Sequence, residues 1–358
     1  MMWVKKLKLN DFRNYHQVSL DFSQGINFIQ GPNGSGKTSL VEAIGMLALC
    51  KSIRTSDEKE TIKLDCEANI INAEIENEIR RELKIVISRK GKYIELDGNE
   101  VKRTSKIAGV TKIISFLPKD VDMFKENPTR RRRFIDFNLS MIDQVYLKLL
   151  SEYHQYLNEV RNLLKQEKID LITLEVLLDE LLKRSYSLQQ KRKSFISLLN
   201  ENLKKVSEYF DEIKLLLKYH PYITEENYED YVFKTKELIK KEIINESKNR
   251  MIIPGIHLDD ISMDFNKMDL SLFGSQGQNR ISVILLKLSV FEMIKTKFNE
   301  EPIIILDDVL SELDDSHQQK LLRLLNEIEQ VFITGTKFDL KQKVTLFNVE
   351  DNQVRRVN

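Results

Sequence analysis

Eight residues, Gly31 to Thr38 (GPNGSGKT), carry the spacing G-x-x-x-x-G-K-[ST] of a phosphate-binding loop. Gly31, Gly34 and Gly36 let the backbone bend so that its N–H groups face an anion, with Pro32, Asn33 and Ser35 completing the loop. Lys37 would reach the β and γ phosphates, and Thr38 would offer its hydroxyl to Mg2+. A second stretch, Ile303 to Asp308 (IIILDD), is an apolar run ending in two carboxylates. At the carboxyl end of a parallel strand, Asp307 would bind Mg2+ through water and Asp308 would orient or deprotonate an attacking water. The third is Phe273 to Gln278 (FGSQGQ), just before a long apolar-rich segment. Ser275 suits a helix N-cap, and the N–H groups of Gln276, Gly277 and Gln278 with the helix dipole could form a second γ-phosphate site. Each stretch has a plainer reading: a glycine-rich loop without ligand, a buried strand that happens to end in Asp, a turn before a helix. Their occurrence together favours nucleotide chemistry, with Lys37 and Asp308 as the catalytic pair.

Those residues need particular elements around them. Ile26, Phe28 and Ile29 can form a buried strand into the loop, and Leu40, Val41, Ile44, Leu47 and Ala48 continue as a helix after it, the strand–loop–helix setting such a loop requires. Val4 to Asp11 and Val18 to Phe22 read as strands around Arg13-Asn14-Tyr15. From Glu67 to Val101, period-two runs punctuated by Lys90-Gly91 and Asp97-Gly98 read as antiparallel hairpins. Ile113 to Leu117 reads as a strand closed by Pro118. Beyond Pro128 the texture changes. Stripes at three-and-four spacing, one from Ile142 to Leu164 and one from Leu174 to Val206, predict two long amphipathic helices, with a shorter one over Val232 to Ile244. After Pro254-Gly255 mixed character returns: Ile261 to Phe265 and Leu270 to Phe273 as strands, Gly277 to Phe298 as a helix, Pro302 to Leu306 as a parallel strand, then helix and strand through Thr334. The expected organisation is an α/β domain made of residues 1–126 and 255–358, interrupted by a helical insertion over 127–254.

Composition narrows the class. Fifty-six basic and fifty-five acidic residues leave a net charge of +1, so binding to nucleic acid would come from local patches and not from a global field. Two cysteines in 358 residues argue against a disulfide framework and for a reducing compartment. MMWVKKLKLNDF lacks an apolar core of signal-peptide length, and no apolar run approaches ~20 residues, so the expected location is the cytoplasm.

GPNGSGKT, FGSQGQNR, IIILDDVLSELD and FITGT, in that order around a helical insertion, resemble the ABC-type ATPase heads of the SMC class. LNDFRNY, ALCKSIRT, FLPKDVDMFKENPTRRRRFID and IHLDD bring the resemblance closer, to the RecF family of bacterial recombination mediators. The resemblance implies an ABC-type head of mixed sheet with an antiparallel β subdomain, and an ATP-dependent homodimer in which Ser275 of one copy completes the nucleotide site of the other. It implies ATP and Mg2+ as cofactors, a nucleotide contact from Arg13, and weak ATP hydrolysis, stimulated by DNA, as a dimerisation switch. It further implies association with the nucleoid, clamping of double-stranded DNA at gaps or junctions with single strand, and action with RecO and RecR to load RecA. Candidate DNA contacts are Arg130 and Arg131 of the run Arg130 to Arg133, and Lys191, Arg192 and Lys193, which would bind phosphates without reading sequence. Arg131 or Arg132 could instead pack internally. The chain departs from the family pattern in three places: Lys119 stands where a Glu follows the proline, leaving Asp120 as the substitute Mg2+-side group, Leu258 stands where an Arg precedes the paired Asp, and Thr334 or Thr336 must serve in place of a switch histidine. Competing readings are the ATPase subunit of a membrane transporter, which shares the three motifs, and a small-molecule kinase, in which FGSQGQ and SELD would have no role.

Overall fold

The computed structural model describes residues 2–76, 79–102, 104–210, 213–244, 252–310, 313–337 and 344–358. In chain order its elements are β1 (Trp3–Phe12), β2 (Tyr15–Asp21), β3 (Gly25–Gln30), α1 (Lys37–Gly45), β4 (Ala68–Glu76), β5 (Arg80–Ser88), β6 (Gly91–Leu96), β7 (Asn99–Glu100), β8 (Ile113–Phe116), α2 (Pro128–Ile142), α3 (Gln144–Leu164), α4 (Leu171–Glu208), β9 (Leu215–His220), α5 (Tyr228–Ile244), β10 (Asp260–Phe265), β11 (Met268–Asp269), α6 (Leu270–Phe273), α7 (Gln276–Phe298), β12 (Ile303–Leu306), α8 (Asp315–Leu325), β13 (Gln330–Gly335), β14 (Thr345–Glu350) and β15 (Gln353–Arg356). The chain divides into two compact units: Met1–Asp122 with Asn202–Ile213 and Gln276–Asn358, and Met123–Glu201 with Lys214–Ser275.

The first unit holds two six-stranded sheets. One has the order β15-β14-β3-β13-β12-β8, in which β14, β3, β13, β12 and β8 run parallel and β15 closes the edge antiparallel. Its central strands are buried on both faces, which is why IIIL is a continuous apolar run and why GINFIQ buries all of Ile26 to Ile29, the Asn27 amide being satisfied by Ser23 and Gly25. The other sheet, β2-β1-β4-β5-β6-β7, is antiparallel. Its strands β4 and β5 bury every second residue (Ile71, Ala73 and Ile75; Leu83, Ile85 and Ile87), as expected of a sheet with one face on the core. The buried side-chain amide of Gln330 joins the two sheets: it accepts from Val4 N–H at 2.8 Å and donates to Val4 C=O at 2.8 Å, copying a strand's backbone pairing.

The second unit contains α2, α3, α5 and most of α4, together with the three-stranded sheet β11-β10-β9. Asn127, accepting from Thr129 N–H, and Pro128 start α2, and Asp143, accepting from Tyr146 N–H, starts α3. The stripe beginning at Ile142 therefore belongs to two helices separated by a cap. The boundary expected at Pro254 lies elsewhere: residues 255–275 cluster with the helical unit because β10 pairs with β9, a strand that the sequence reading did not anticipate. Conversely, Asn202–Ile213 cluster with the first unit. Leu270–Phe273 is one helical turn and not a strand, because Asp269 accepts from Ser271 N–H and starts it. The terminal hairpin β14–β15 was likewise unforeseen.

Candidate nucleotide site

β3 delivers the chain to Gly31 at the carboxyl edge of the parallel sheet, and α1 leaves from Lys37. Gly36, at the N-cap of α1, has φ of +109°, a conformation that a residue with a Cβ adopts only under strain, and a Cβ there would also press on the Tyr15 hydroxyl. That hydroxyl donates to Gly36 C=O at 2.9 Å, and burial raises its pKa well above the phenol range. A Cβ on Gly31 would collide with the Val349 carbonyl, so β14 packs directly on the start of the loop. Lys37 is buried and folds back over the loop, donating to the carbonyls of Gly31 at 2.9 Å and Pro32 at 3.0 Å. Among the described residues the buried Ser35 hydroxyl finds no hydrogen-bond partner, a cost that an anion in the loop would remove.

The second motif meets the first. β13 lies between β3 and β12, so Asp307 at the end of β12 comes within reach of the loop. Thr38 Oγ1 donates to Asp307 Oδ1 at 3.1 Å, across 269 residues of sequence. Asp307 is 1% exposed. Burial raises its pKa and Asp308 adds to the rise, while hydrogen bonds from Thr334 and Thr38 and the charge of Arg54 oppose it. A buried carboxylate beside a hydroxyl is a hard oxygen pair suited to Mg2+, which takes its other ligands from phosphate and water. Among the described residues no group of three or more His, Cys, Asp or Glu could hold a metal. Asp308 leaves the strand direction with φ of +53°. Non-glycine residues in that region concentrate at functional sites.

Two expectations change here. Arg13, anticipated among the nucleotide contacts, instead grips the fully buried Glu42 of α1, with Nε at 2.9 Å and Nη2 at 2.8 Å, and gives Nη1 to Glu60 C=O at 2.7 Å. Glu42 also accepts from Ser52 Oγ at 2.5 Å and Arg54 Nη1 at 3.1 Å. Glu42 thus ties the β1–β2 turn, the loop's helix and the segment after it into one charged cluster. Sequence reading passed over Glu42; a carboxylate inside the apolar pattern of α1 was the available signal. Asp120, the substitute Mg2+-side group, is held by Leu117 N–H at 2.7 Å and by the ammonium of the buried Lys287, so its charge is neutralised inside the fold.

The third motif stands at the junction of the two units in sequence: Ser275 is the last residue of one and Gln276 opens α7 in the other. Ser275, Gln276 and Gly277 are exposed, Gln278 is half-buried, and a Cβ on Gly277 would meet nothing within 4 Å. Internal packing does not call for a glycine there, although it weakens a helix by roughly 1 kcal/mol relative to Ala. Close approach of an external group would. Ser311 and Glu312 of the connection after Asp308 lie outside the described residues.

The candidate DNA contacts divide. Arg192 is 1% exposed and bonded to Asp136 at 2.7 Å, Asp259 at 2.9 Å, Ile256 C=O at 2.6 Å and Tyr146 OH at 3.0 Å, so it serves the interior of the second unit and not a phosphate. Arg131 is likewise internal, forked onto Asp260 at 2.7 and 2.9 Å and capping the carbonyls of Met123, Phe124 and Glu126. Arg130 pairs with Glu126 at 2.6 Å and Lys191 with Asp143 at 2.6 Å. Lys193 is half-buried and Arg133 exposed.

The RecF/RecN/SMC N terminal domain model matches residues 3–354. The chain is 36% identical over 352 residues to the DNA replication and repair protein RecF of Staphylococcus carnosus, covering 94% of each, and 35% identical over 366 residues to that of Macrococcus caseolyticus, covering 99% of each. Among solved structures it is similar to the recombination mediator protein RecF-ATP of the RecFOR pathway, with a TM-score of 0.92 and 29% identity over 100% of this chain and 98% of that one. The Smc head domain of Pyrococcus furiosus, at a TM-score of 0.54 and 18% identity over 100% of this chain and 96% of that one, shares the fold. Near-complete coverage by relatives of one kind, together with a phosphate loop joined to a buried carboxylate on a parallel sheet, places the chain in the RecF family of DNA replication and repair proteins, within the RecF/RecN/SMC class.

Proposed function

We propose that this protein is an ATP-gated mediator of recombinational repair and replication restart, which dimerises on ATP, binds double-stranded DNA at gaps or junctions, and acts with RecO and RecR to load RecA. The observation that carries this reading is the hydrogen bond of Thr38 to the buried Asp307, which joins the phosphate loop to the carboxylate pair. The loop's N–H groups and Lys37 bind the β and γ phosphates, and Thr38 and Asp307 hold Mg2+. When bound, that ion neutralises charge developing on the phosphate oxygens. Asp308 orients water for attack. Ser275, with the first turn of α7, reaches the γ phosphate of a nucleotide held by a second copy, so two nucleotides bridge two chains. Hydrolysis removes the shared phosphate and the dimer separates, a switch driven by differential affinity.

Membership in a repair family favours this over the transporter reading. The test is a pair of variants followed by sedimentation and binding of a fluorescent ATP analogue. Lys37→Met loses nucleotide binding and dimers together. Ser275→Arg keeps binding by the single chain within about twofold and loses the dimer by steric and charge obstruction. ATP-induced dimers of Lys37→Met, or loss of single-chain binding by Ser275→Arg, would contradict the scheme.

A further inference from the structure

Thr334 occupies a place that neither the phosphate loop nor the carboxylate pair explains by itself. It stands near the end of β13, the strand between β3 and β12, in register with Ile29. Its hydroxyl is engaged in both capacities. It donates to Asp307 Oδ1 at 2.8 Å and accepts from Asp308 N–H at 2.9 Å. The next residue, Gly335, accepts through its carbonyl from Gly31 N–H at 3.2 Å, so two consecutive positions of β13 touch the start of the phosphate loop, the Asp307 carboxylate and the Asp308 backbone N–H. Thr334 is 2% exposed, whereas Thr336 is on the surface.

A γ-phosphate sensor needs a donor turned toward the ligand. The Thr334 hydroxyl has one proton, and it is donated in a hydrogen bond to Asp307 Oδ1. We infer that Thr334 is a positioning residue: it fixes which oxygen of Asp307 faces the metal site and holds Asp308 in its left-handed conformation. The donor to Asp307 leaves Oδ2 as the oxygen with freedom to take a cation, because Thr38 and Thr334 both bond Oδ1. The bond from Asp308 N–H compensates a backbone bend that would otherwise relax toward extended geometry. One hydroxyl thereby couples metal placement to water placement.

The inference rests on the nucleotide reading above, and its test separates the two. Thr334→Val and Thr334→Ser are made in the full-length chain, and the dissociation constant of a fluorescent ATP analogue is measured in Mg2+ and in EDTA, followed by single-turnover hydrolysis. Thr334→Val is expected to bind in EDTA within about twofold of wild type, to lose roughly 10-fold of the affinity gained from Mg2+, and to hydrolyse roughly 100-fold more slowly, the range seen when a partner of a metal ligand is removed. Thr334→Ser, which keeps the hydroxyl, stays within a few-fold of wild type on all three. A wild-type Mg2+ gain in Thr334→Val overturns the inference, and so does an equal loss of binding in EDTA with loss of ATP-over-ADP preference, which is the signature of a sensor. If Thr334→Val does not fold, Thr334→Ala is put through the same measurements with the same expectations. Failure of the wild-type chain to bind any nucleotide would remove both this inference and the reading beneath it.

Discussion

Arg192→Met separates two roles that one run of basic residues could have. The guanidinium is buried with Asp259, itself 1% exposed, and with Asp136, and it carries bonds to Ile256 C=O and Tyr146 OH. Methionine keeps much of the length and apolar stem and removes the charge. Breaking a buried pair by deleting one partner costs about 3–5 kcal/mol, because the remaining charge has no solvent. Here the low end applies. Asp136 is 23% exposed at the side chain and recovers water, and Asp259 keeps the hydroxyl of Tyr219 and the N–H of Tyr222. The expectation is therefore about 3 kcal/mol, or a melting temperature lower by roughly 10 °C in a unit of about 150 residues. Burial already raises the pKa of Asp259, and Arg192 is the charge that opposes the rise. In the variant the folded-state pKa climbs further above its unfolded value, so the deficit is largest at neutral pH and shrinks as acid protonates Asp259. Denaturant titrations at pH 7 and pH 5 measure both effects, and hydrogen exchange over 185–200 localises them. A destabilisation under 1 kcal/mol, accompanied by weaker and less salt-sensitive DNA binding, would mean that Arg192 works at a phosphate after all.

Four further outcomes follow from the same geometry. Asp308→Asn should accumulate the ATP-bound dimer, seen as a persistent dimer peak in size exclusion with ATP; unchanged turnover would remove Asp308 from the water-orienting role. Gln330→Leu strands the N–H and C=O of Val4 between the sheets and should cost about 3 kcal/mol, read from denaturant midpoints; a loss below 1 kcal/mol would show that the two sheets do not need this stitch. His257 is held neutral, its pKa lowered to about 4 by burial first and then by Arg161, His154, Arg132 and Arg192. Because the unfolded chain takes up the proton near pH 6.5, its contribution is present above that pH and is lost as pH falls toward 4, up to about 3 kcal/mol; a stability profile flat over that window in wild type, or unchanged in His257→Gln, would refute it. Lys193→Gln should reduce the salt slope of DNA binding by about 0.9, the value of one phosphate contact, whereas Arg130→Gln, whose charge is paired with Glu126 at 2.6 Å, should change it little.

What the sequence disclosed and what it hid follow from the range of the forces involved. GPNGSGKT and IIILDD were legible because local requirements write most of them: left-handed bends at Gly34 and Gly36, and a strand buried on both faces. The hairpins of β5 to β7 were legible because alternation and the turns at Gly91 and Gly98 are near-neighbour properties. Arg192 was misread because Lys191-Arg192-Lys193 looks the same whether it faces water or carboxylates. Only the fold brings Asp259, 67 residues away, into bonding distance. Glu42 and Gln330 were missed for the same reason, since a buried polar side chain is defined by partners drawn from distant segments: Arg13 and Arg54 for one, Val4 for the other.

The same contrast bears on function. Motif spacing could propose that Thr38 and Asp307 share a cation, but it could not say which strand separates them. With β13 in that position, the distance from Thr38 to Asp307 becomes a property of sheet register, with Ile333 of β13 opposite Phe28 of β3 on one side and Leu306 of β12 on the other. The site is therefore preset by the fold before any ligand arrives, and the part left to ligand and partner is the exposed start of α7. On the function proposed above, a protein built this way would bind nucleotide as a single chain and need a second copy to act on it, the order of events a loading factor requires: capture first, commitment on meeting its counterpart.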